Sequence, residues 1–338
     1  MKNILTAALL LPFSLMGQDT FSICAVDTVT GEVGSAGASC IDASAIPGGV
    51  VIISDVHNGR GVIHTQSYWL AANQNYASSL MTAGLSPQQI IDSLVANDAQ
   101  NNPAIRQYGA VDLYNGSARV AAYTGANCFN YKNHIIGPNY AIQGNILLGQ
   151  QILDSMEARF LNTPGDLACK LMAALQGAKV VGADTRCTSS GNSSLSSFLR
   201  VACPNDPQGT YSIDLVVPQG PSGFEPIDSL QTLFNNIHNC SVPLVCLTSV
   251  NQPSSDANGF SVSIVPNPSS GSAILQVQGQ GSGFSLLIYN NHGQLVRQED
   301  LGAKKETKIS NAELGKGVYF YKVISAEGAC VYGKILFL

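Results

Sequence analysis

The stretch that decides the fold is Gln18-Asp19-Thr20-Phe21-Ser22-Ile23-Cys24-Ala25-Val26-Asp27. Its β-branched and aromatic residues predict a β-strand that begins at Thr20. If the Asp19–Thr20 peptide bond were cut, Thr20 would carry a free α-amino group beside its own hydroxyl. An α-amine has a pKa near ~8 and can accept a proton at neutral pH. A hydroxyl with such a base beside it is an N-terminal nucleophile, so Thr20 is the first candidate catalytic residue. The other interpretation is that threonine simply favours the start of a strand.

Residues 1–17 have the pattern of a secretory signal peptide. Lys2 supplies the positive start, Ile4 to Leu15 form an apolar stretch too short to cross a bilayer, and Gly17 is a small residue before the expected cleavage site. No other apolar run reaches the length of a transmembrane helix. The sequence therefore predicts an exported chain without a transmembrane segment.

The charge of the chain limits its partners. Charged residues make up 12% of the sequence and the formal net charge is −5, with no basic cluster. That fraction is well below the roughly 25% of ordinary domains. Nucleic-acid binding and attachment to anionic lipid both need a positive surface, so both are excluded.

Nine cysteines suit an oxidising compartment, and their odd number leaves at least one without an intramolecular partner. Cys40 is expected to pair with Cys128 or to be buried as a thiol, and Cys169, on an apolar helix face, is expected to be a buried thiol. The spacings match no zinc module, so no metal and no other cofactor is predicted. Short separation in the sequence favours the disulfides Cys187/Cys203 and Cys240/Cys246.

The predicted elements up to His238 alternate between hairpins and paired helices. Hairpins form antiparallel sheets and paired helices cover one sheet face, so the order predicts an α+β fold, an α/β/β/α four-layer sandwich. In the first hairpin, the register places Thr20 opposite Ser39. Strands are predicted at Thr20–Asp27, Val33–Cys40, Gly49–Ser54, Gly61–Gln66, Gln107–Asp112, Ala118–Tyr123, Ser196–Ala202 and Tyr211–Val217. Helices are predicted at Ser67–Ala83, Ser86–Asp98, Gly149–Leu161, Gly165–Gln176 and Pro226–His238.

The chain divides at residues 246–258, a segment with three serines, two asparagines and a proline, which has the composition of a linker. The first domain is predicted at 18–245. Residues 259–338 contain only short strands, seven in about eighty residues, which is typical of a small β-sandwich.

Short motifs in a fixed order carry a family resemblance over Thr20 to Leu230. They are Thr20–Ala25, Thr30–Gly34, Ala38–Cys40, Thr65-Gln66, Arg106–Asp112, Thr124-Gly125, Gln143–Leu147 and Gly182–Arg186. With these motifs the segment resembles a bacterial family of unknown function in the Ntn-hydrolase-like superfamily. The resemblance implies the α/β/β/α fold and no known substrate.

The chain departs from this family at its start. Members resemble Met-Thr-Phe-Ser-Ile, where loss of methionine exposes the threonine, whereas signal peptidase would here leave Gln18-Asp19 before Thr20. Self-cleavage at Asp19–Thr20 would remove them, and glycosylasparaginase-like precursors are similar in having an Asp-Thr scissile bond. Otherwise Thr20 stays internal and the domain is inert. A second departure is Cys187, where many members have glycine.

The tail carries a second resemblance. Its motifs are Val265–Pro268 with Gly271, Ile288–Gly293, Leu314 with Gly317–Val323, and the terminal Gly333–Leu338. The tail resembles the C-terminal sorting domain of type IX (Por) secretion in Bacteroidetes-type bacteria. The resemblance implies the type IX machinery as a partner, passage through the periplasm and outer membrane, and a secreted or cell-surface location.

Polar residues near the strand ends extend the candidate site. Ser39 can bond the amine of Thr20 or an oxyanion, or can simply fill a strand of small residues. Gln143 and Asn145 interrupt an apolar stretch and can donate to a developing oxyanion. The alternative for both amides is a turn in which they satisfy backbone groups.

Charged residues supply a candidate substrate clamp. The fork of Arg186 can bind a carboxylate, and Asp184 can hold an amine or aim the fork; a plain loop salt bridge is the alternative. Arg106 carries the same two interpretations. His57 and His64 lie too far apart for a compact metal motif and are expected to be structural or at the surface.

Together these features predict a secreted amide hydrolase with an N-terminal threonine nucleophile, acting on a peptide or an acylated amino acid. The alternative is a non-catalytic surface or matrix binding module on the same fold, which the low charge and many amide side chains suit equally. The assembly state, including a homo-oligomer, is left open.

Overall fold

The computed structural model describes residues 20–337 except 221–222, 242–243, 245, 247–259, 280–282, 291–293 and 303. The chain divides into two compact units between Cys246 and Leu247. The predicted signal peptide lies outside the described residues, and so does the predicted linker apart from Cys246.

Two antiparallel sheets form the centre of the first unit. The first sheet has the strand order β10 (Ile213–Val217), β9 (Ser196–Ala202), β2 (Val33–Ser39), β1 (Thr20–Val26), β8 (Tyr140–Gly144) and β7 (Asn133–Ile136). The second has the order β3 (Ser54–His57), β4 (Gly61–Gln66), β5 (Gln107–Tyr114) and β6 (Ser117–Thr124). Contacts of β1 with β4 and β5 bring the two sheets face to face.

Helices cover the outer face of each sheet. Helices α1 (Ala71–Thr82) and α2 (Pro87–Ala96) pack on the second sheet, and α3 (Gln150–Asn162), α4 (Leu167–Gly177) and α5 (Pro226–Ile237) belong to the layer outside the first. The α/β/β/α prediction is therefore confirmed. Ser86 caps α2 through a capping box with Gln89, as the Ser86-Pro87 pattern predicted.

Side chains alternate along β1, and this alternation assigns each residue to one layer. Phe21 and Ile23 are fully buried in the core formed with α3, α4 and α5, while Cys24 lies in the apolar cluster between the sheets. Burying a side chain such as Phe21 contributes roughly 1.5–3 kcal/mol to folding, so this facing is strongly preferred.

Two element predictions were wrong. The predicted strand at Gly49–Ser54 is a 3-10 helix, Gly49–Ile53, followed by β3, because Gly48 and Gly49 adopt φ of 84° and 64°, which no strand residue can have. The first helix begins at Ala71 rather than Ser67, because Ser67 and Tyr68 have φ of 56° and 52°.

The predicted disulfides were also wrong. The fold joins cysteines that are far apart in the sequence, with Cα–Cα distances of 5.1 to 5.8 Å. Cys40 therefore does not pair with Cys128, and Cys169 is not a free thiol. The observed bridges are Cys40–Cys187, Cys169–Cys240 and Cys203–Cys246.

The second unit consists of two small sheets around one apolar core. One has the order β11 (Phe260–Val265), β12 (Ser272–Gly279) and β15 (Glu306–Ser310); the other has β14 (Leu295–Gly302), β13 (Phe284–Asn290), β16 (Gly317–Ile324) and β17 (Cys330–Phe337). A short helix, α6 (Asn311–Leu314), follows β15. Phe260, Leu286 and Val323 are buried in the shared core. All seven predicted strands are present in the described residues.

In the described part of the chain, no helix has the length and apolar character needed to span a bilayer.

Mass spectrometry of the oxidised protein should test the cysteine assignments. Non-reducing peptide maps should contain the three observed bridges, and a Cys187–Cys203 peptide would contradict them. Cys24 is fully buried, and burial raises the pKa of its thiol to about 12. Because the thiolate is the reactive form, iodoacetamide should modify Cys24 only after denaturation.

Candidate functional site

Thr20 is the first residue of β1 and lies where the first sheet ends. It is paired with Ser39 of β2, as predicted, and β8 lies on the other side of β1. The carbonyl oxygen of Thr20 accepts hydrogen bonds from the main-chain N–H of Asn145 and from Nε2 of Gln66, both at 3.2 Å. Backbone and side-chain donors thus fix the position of Thr20 from both sheets.

A small pocket opens beside Thr20. It encloses about 10 Å³, the room of roughly one water molecule; the empty volume reaches about 180 Å³ only when the open solvent at its mouth is counted. Thr20 is only 1% exposed to solvent. The pocket is the empty space that Thr20 borders. The lining residues are Thr20, Ser39, Ile41, Ile46, Gly49, Val50, Ile52 and Ile53.

A network of buried polar side chains lies between the two sheets. It begins at Ser22, two residues after Thr20 on β1. The hydroxyl of Ser22 donates to Oε1 of Gln66 at 2.6 Å and accepts from Nε2 of Gln143 at 2.7 Å. His64 contacts Ser22 Oγ through Nδ1 at 2.9 Å and Ser35 Oγ through Nε2 at 2.5 Å. These side chains are all buried, so their mutual hydrogen bonds replace those to water.

The network continues to Asn145 through two glutamines. Oε1 of Gln107 accepts from Nε2 of Gln66 at 2.8 Å and from Nδ2 of Asn145 at 2.9 Å. The side-chain Oδ1 of Asn145 is buried without a hydrogen-bond partner. A buried acceptor in that state is costly, so Asn145 presents an acceptor close to the start of β1 that a donor would satisfy.

Asp184 and Arg186 form one wall near Thr20. Asp184 is buried, caps the 3-10 helix Thr185–Ser190, and accepts from the main-chain N–H of Cys40 at 2.8 Å. Its carboxylate binds the guanidinium of Arg186 at 3.0 and 2.6 Å. Nη2 of Arg186 also reaches Ser39 Oγ at 3.4 Å. Asp184 is buried and Arg186 is partly exposed, so Arg186 is the one of the two side chains that reaches solvent.

The Cys40–Cys187 disulfide holds this wall in place. Cys40 directly follows Ser39 at the end of β2, and Cys187 lies in the 3-10 helix that Asp184 caps. The bridge therefore joins the strand beside Thr20 to the loop that carries Arg186.

Five of the predicted site residues come together in this way: Thr20, Ser39, Asn145, Asp184 and Arg186. Gln143 instead points between the sheets, where its amide is bonded to Ser22 and contacts His64 at 3.1 Å. Arg106 is buried in an ion pair with Asp98 at 2.8 Å, and Nη2 donates to Gln100. Its guanidinium is occupied by the protein's own groups, so Arg106 is corrected from substrate clamp to buried structural ion pair.

Sequence reasoning missed the network residues Ser22, His64, Gln66 and Gln107. His64 was expected to be structural or at the surface, and it is fully buried. The signal was present: polar residues at alternate positions of apolar strands share one sheet face, here the face between the sheets.

Two groups of potential metal ligands occur in the described residues: Cys169 with His238 and Cys240, and Glu32 with Cys203 and Cys246. In each group both cysteines are joined as a disulfide, so they lack the thiolates that bind metal. Neither group includes Thr20.

Residues 20–226 match the family described as "Family of unknown function (DUF1028)", and residues 263–336 match "Secretion system C-terminal sorting domain". A crystal structure of a DUF1028 protein from Silicibacter pomeroyi has a similar fold. Its TM-score is 0.52 at 22% identity, over 65% of this chain and 90% of that chain. No curated protein matches the chain. The sorting domain implies interaction with the type IX machinery and export to the cell surface or secretion.

His64 should make stability depend on pH. Burial lowers its pKa to about 3 from an ordinary 6.5, so His64 is neutral in the folded protein. As pH falls from about 6.5 towards about 3, the unfolded chain binds a proton that the folded chain does not. The free energy of unfolding should then fall by up to about 1.4 kcal/mol per pH unit. His64→Gln removes this contribution, so urea unfolding between pH 7.5 and 4.5 should show a shallower slope; equal slopes would contradict the assignment.

Proposed function

This chain belongs to the DUF1028 family, and from that premise we propose that its first unit hydrolyses an amide bond with Thr20 as the nucleophile. The observation that carries the proposal is the position of Thr20. It begins a central strand of a two-sheet sandwich, its carbonyl is held from both sheets, and it lines a pocket.

The proposal requires that Asp19–Thr20 be cut. In a self-cleavage, Thr20 Oγ1 attacks the carbonyl carbon of residue 19 and the peptide bond breaks as an ester forms. The leaving nitrogen becomes the free α-amine of Thr20, and water then hydrolyses the ester. The product has the hydroxyl and its base on one residue.

In the proposed turnover the α-amine accepts the proton of Oγ1 while Oγ1 attacks the amide carbonyl of the substrate. The tetrahedral intermediate collapses to an acyl ester on Thr20, and the leaving amine takes the proton. Water, deprotonated by the α-amine, then releases the acid. The scheme uses the hydroxyl and the α-amine of Thr20. Two groups of Asn145 and the guanidinium of Arg186 assist them, as the next paragraphs explain.

Asn145 suits two roles in this scheme. Its unpartnered Oδ1 accepts a hydrogen bond from the α-amine, which fixes the base beside the nucleophile. Its Nδ2 has two hydrogens, of which one goes to Gln107 and the other is assigned to the oxyanion. Gln143 is not used, because its donor Nε2 is bonded to Ser22 within the inter-sheet network and is not left for an oxyanion.

The guanidinium of Arg186 suggests that the substrate carries an anionic group. A carboxylate bound by its partly exposed guanidinium lies next to Ser39 and hence next to Thr20. Asp184 is a positioning residue, since it is buried and holds the fork. The proposed substrate is therefore an N-acyl amino acid, with the free carboxylate on the leaving amine.

The exported protein should begin at Thr20, and Thr20→Ala should abolish hydrolysis of N-acyl alanines, whereas Thr20→Ser should retain part of it. N-terminal sequencing and mass spectrometry of released alanine measure the two effects. Thr232→Ala, on the exposed face of α5, is the matched control and should be fully active.

Two results would overturn the proposal. One is full turnover in a protein that still begins at Gln18, which would leave a hydrolase that does not use the α-amine of Thr20. The other is a protein that begins at Thr20 yet shows no Thr20-dependent hydrolysis, which would favour the non-catalytic binding module.

Arg186→Met should raise KM for N-butyryl-alanine about 10- to 100-fold, because a hydrogen bond to a charged group contributes about 1.5–3 kcal/mol. KM for the uncharged N-butyryl-alaninamide should hardly change. Arg200→Met is the control, since Arg200 pairs with Asp214 on the neighbouring strand. An equal loss on both substrates would show that Arg186 acts only through the fold.

A further inference from the structure

We propose that the pocket beside Thr20 selects a short aliphatic acyl chain. The inference rests on the proposed function, because the acyl carbon becomes bonded to Thr20 Oγ1 and its substituent must extend from there. The pocket opens from the same residue, so it is the space that this substituent enters.

The chemistry of the lining favours an apolar group. Thr20 and Ser39 are the lining residues with a side-chain hydroxyl, and the other side chains that line the pocket are aliphatic. None of the lining residues is charged and none carries a side-chain amide. A polar acyl group would lose its hydrogen bonds to water without gaining new ones, which costs free energy.

Packing and hydrogen bonds hold the walls of the pocket in place, so the fold sets the width of the pocket. Val50 and Ile53, on the 3-10 helix, are buried against Phe198. Ser196 joins two walls: its hydroxyl accepts from the main-chain N–H of Val50 at 3.0 Å and donates to the carbonyl of Ile41 at 2.5 Å. The enclosed space is about 10 Å³ and the pocket cannot widen without breaking these contacts, so only the first carbons of an acyl chain fit inside.

Gly49 fixes how closely this wall approaches β9. It has a φ of 64°, and a Cβ at this position would lie 2.8 Å from Cβ of Ser196 and 2.9 Å from the carbonyl oxygen of Pro218. A side chain here would therefore push the 3-10 helix away from Ser196. Only glycine permits the spacing that gives the pocket its present width.

Ile46 is the wall residue that can be changed with least effect on folding. It lies in the loop before the 3-10 helix and is partly exposed, whereas Val50 and Ile53 belong to the core. Ile46→Ala lengthens the pocket and Ile46→Phe fills it. Ile135→Ala, a partly buried isoleucine on β7, is the matched control.

The first experiment measures kcat/KM of the full-length exported protein on N-acetyl-, N-butyryl-, N-hexanoyl- and N-decanoyl-alanine, with hydroxyacetyl-alanine as the polar member. Wild type should prefer the short apolar acyl groups over decanoyl and hydroxyacetyl by at least about tenfold. Ile46→Ala should move the optimum to a longer chain, and Ile46→Phe should reduce all but acetyl. Ile135→Ala should leave the ratios unchanged.

The second experiment does not need turnover. Methyl-labelled isoleucine is followed by NMR while butyramide, or glycolamide as the polar match, is added. Butyramide should shift the signals of Ile41, Ile46, Ile52 and Ile53 but not of Ile135, and Ile46→Phe should abolish the shifts. Glycolamide should cause none.

The outcomes separate the two proposals. Hydrolysis that depends on Thr20 but ignores acyl length, or that Ile46→Ala leaves unaltered, overturns the pocket assignment and spares the nucleophile. Butyramide shifts without hydrolysis overturn the enzyme proposal and support the pocket as an apolar binding site. Absence of both hydrolysis and shifts overturns both.

Discussion

The alternation of side chains along β1 is the constraint on which the candidate site depends. Phe21 and Ile23 must face the helices to be buried, and a strand has a period of two, so Thr20 and Ser22 must face the other sheet. A shift of one residue in register would turn Phe21 and Ile23 towards the polar network between the sheets. It would also remove Thr20 from the pocket. The burial of the core thus determines where the hydroxyl lies.

The polar network between the sheets is tolerated because nearly every member is satisfied by another. Seven or so polar side chains without water would otherwise each cost about 1–3 kcal/mol. His64 illustrates the balance, since it stays neutral between two serine hydroxyls instead of carrying a charge that burial would penalise. Two described atoms of the network lack a hydrogen-bond partner, Oδ1 of Asn145 and Oε1 of Gln143, and of these two residues Asn145 is the one whose main-chain N–H bonds the carbonyl of Thr20.

Local chemistry made much of the fold predictable from the sequence. The β1–β2 hairpin, the Ser86 cap and the seven strands of the second unit depend on residues close together in the chain. The disulfides and the inter-sheet network depend on which strands become neighbours, which no short motif encodes. Cys40 meets Cys187 only because β2 ends beside the loop after α4, and Gln66 meets Thr20 only across the sheets. Arg106 was misassigned for a different reason: its partner Asp98 lies only eight residues before it, but no local pattern shows that the two side chains are buried together.

Export and the candidate site are connected through the disulfides. Bridges form and persist in oxidising compartments, and the sorting domain indicates export to the cell surface or secretion, where such conditions hold. The wall that carries Arg186 is joined to β2 by Cys40–Cys187, so oxidation adds a covalent link to the hydrogen bond between Cys40 and Asp184. Cys169–Cys240 and Cys203–Cys246 hold the last described part of the first unit against α4 and the end of β9.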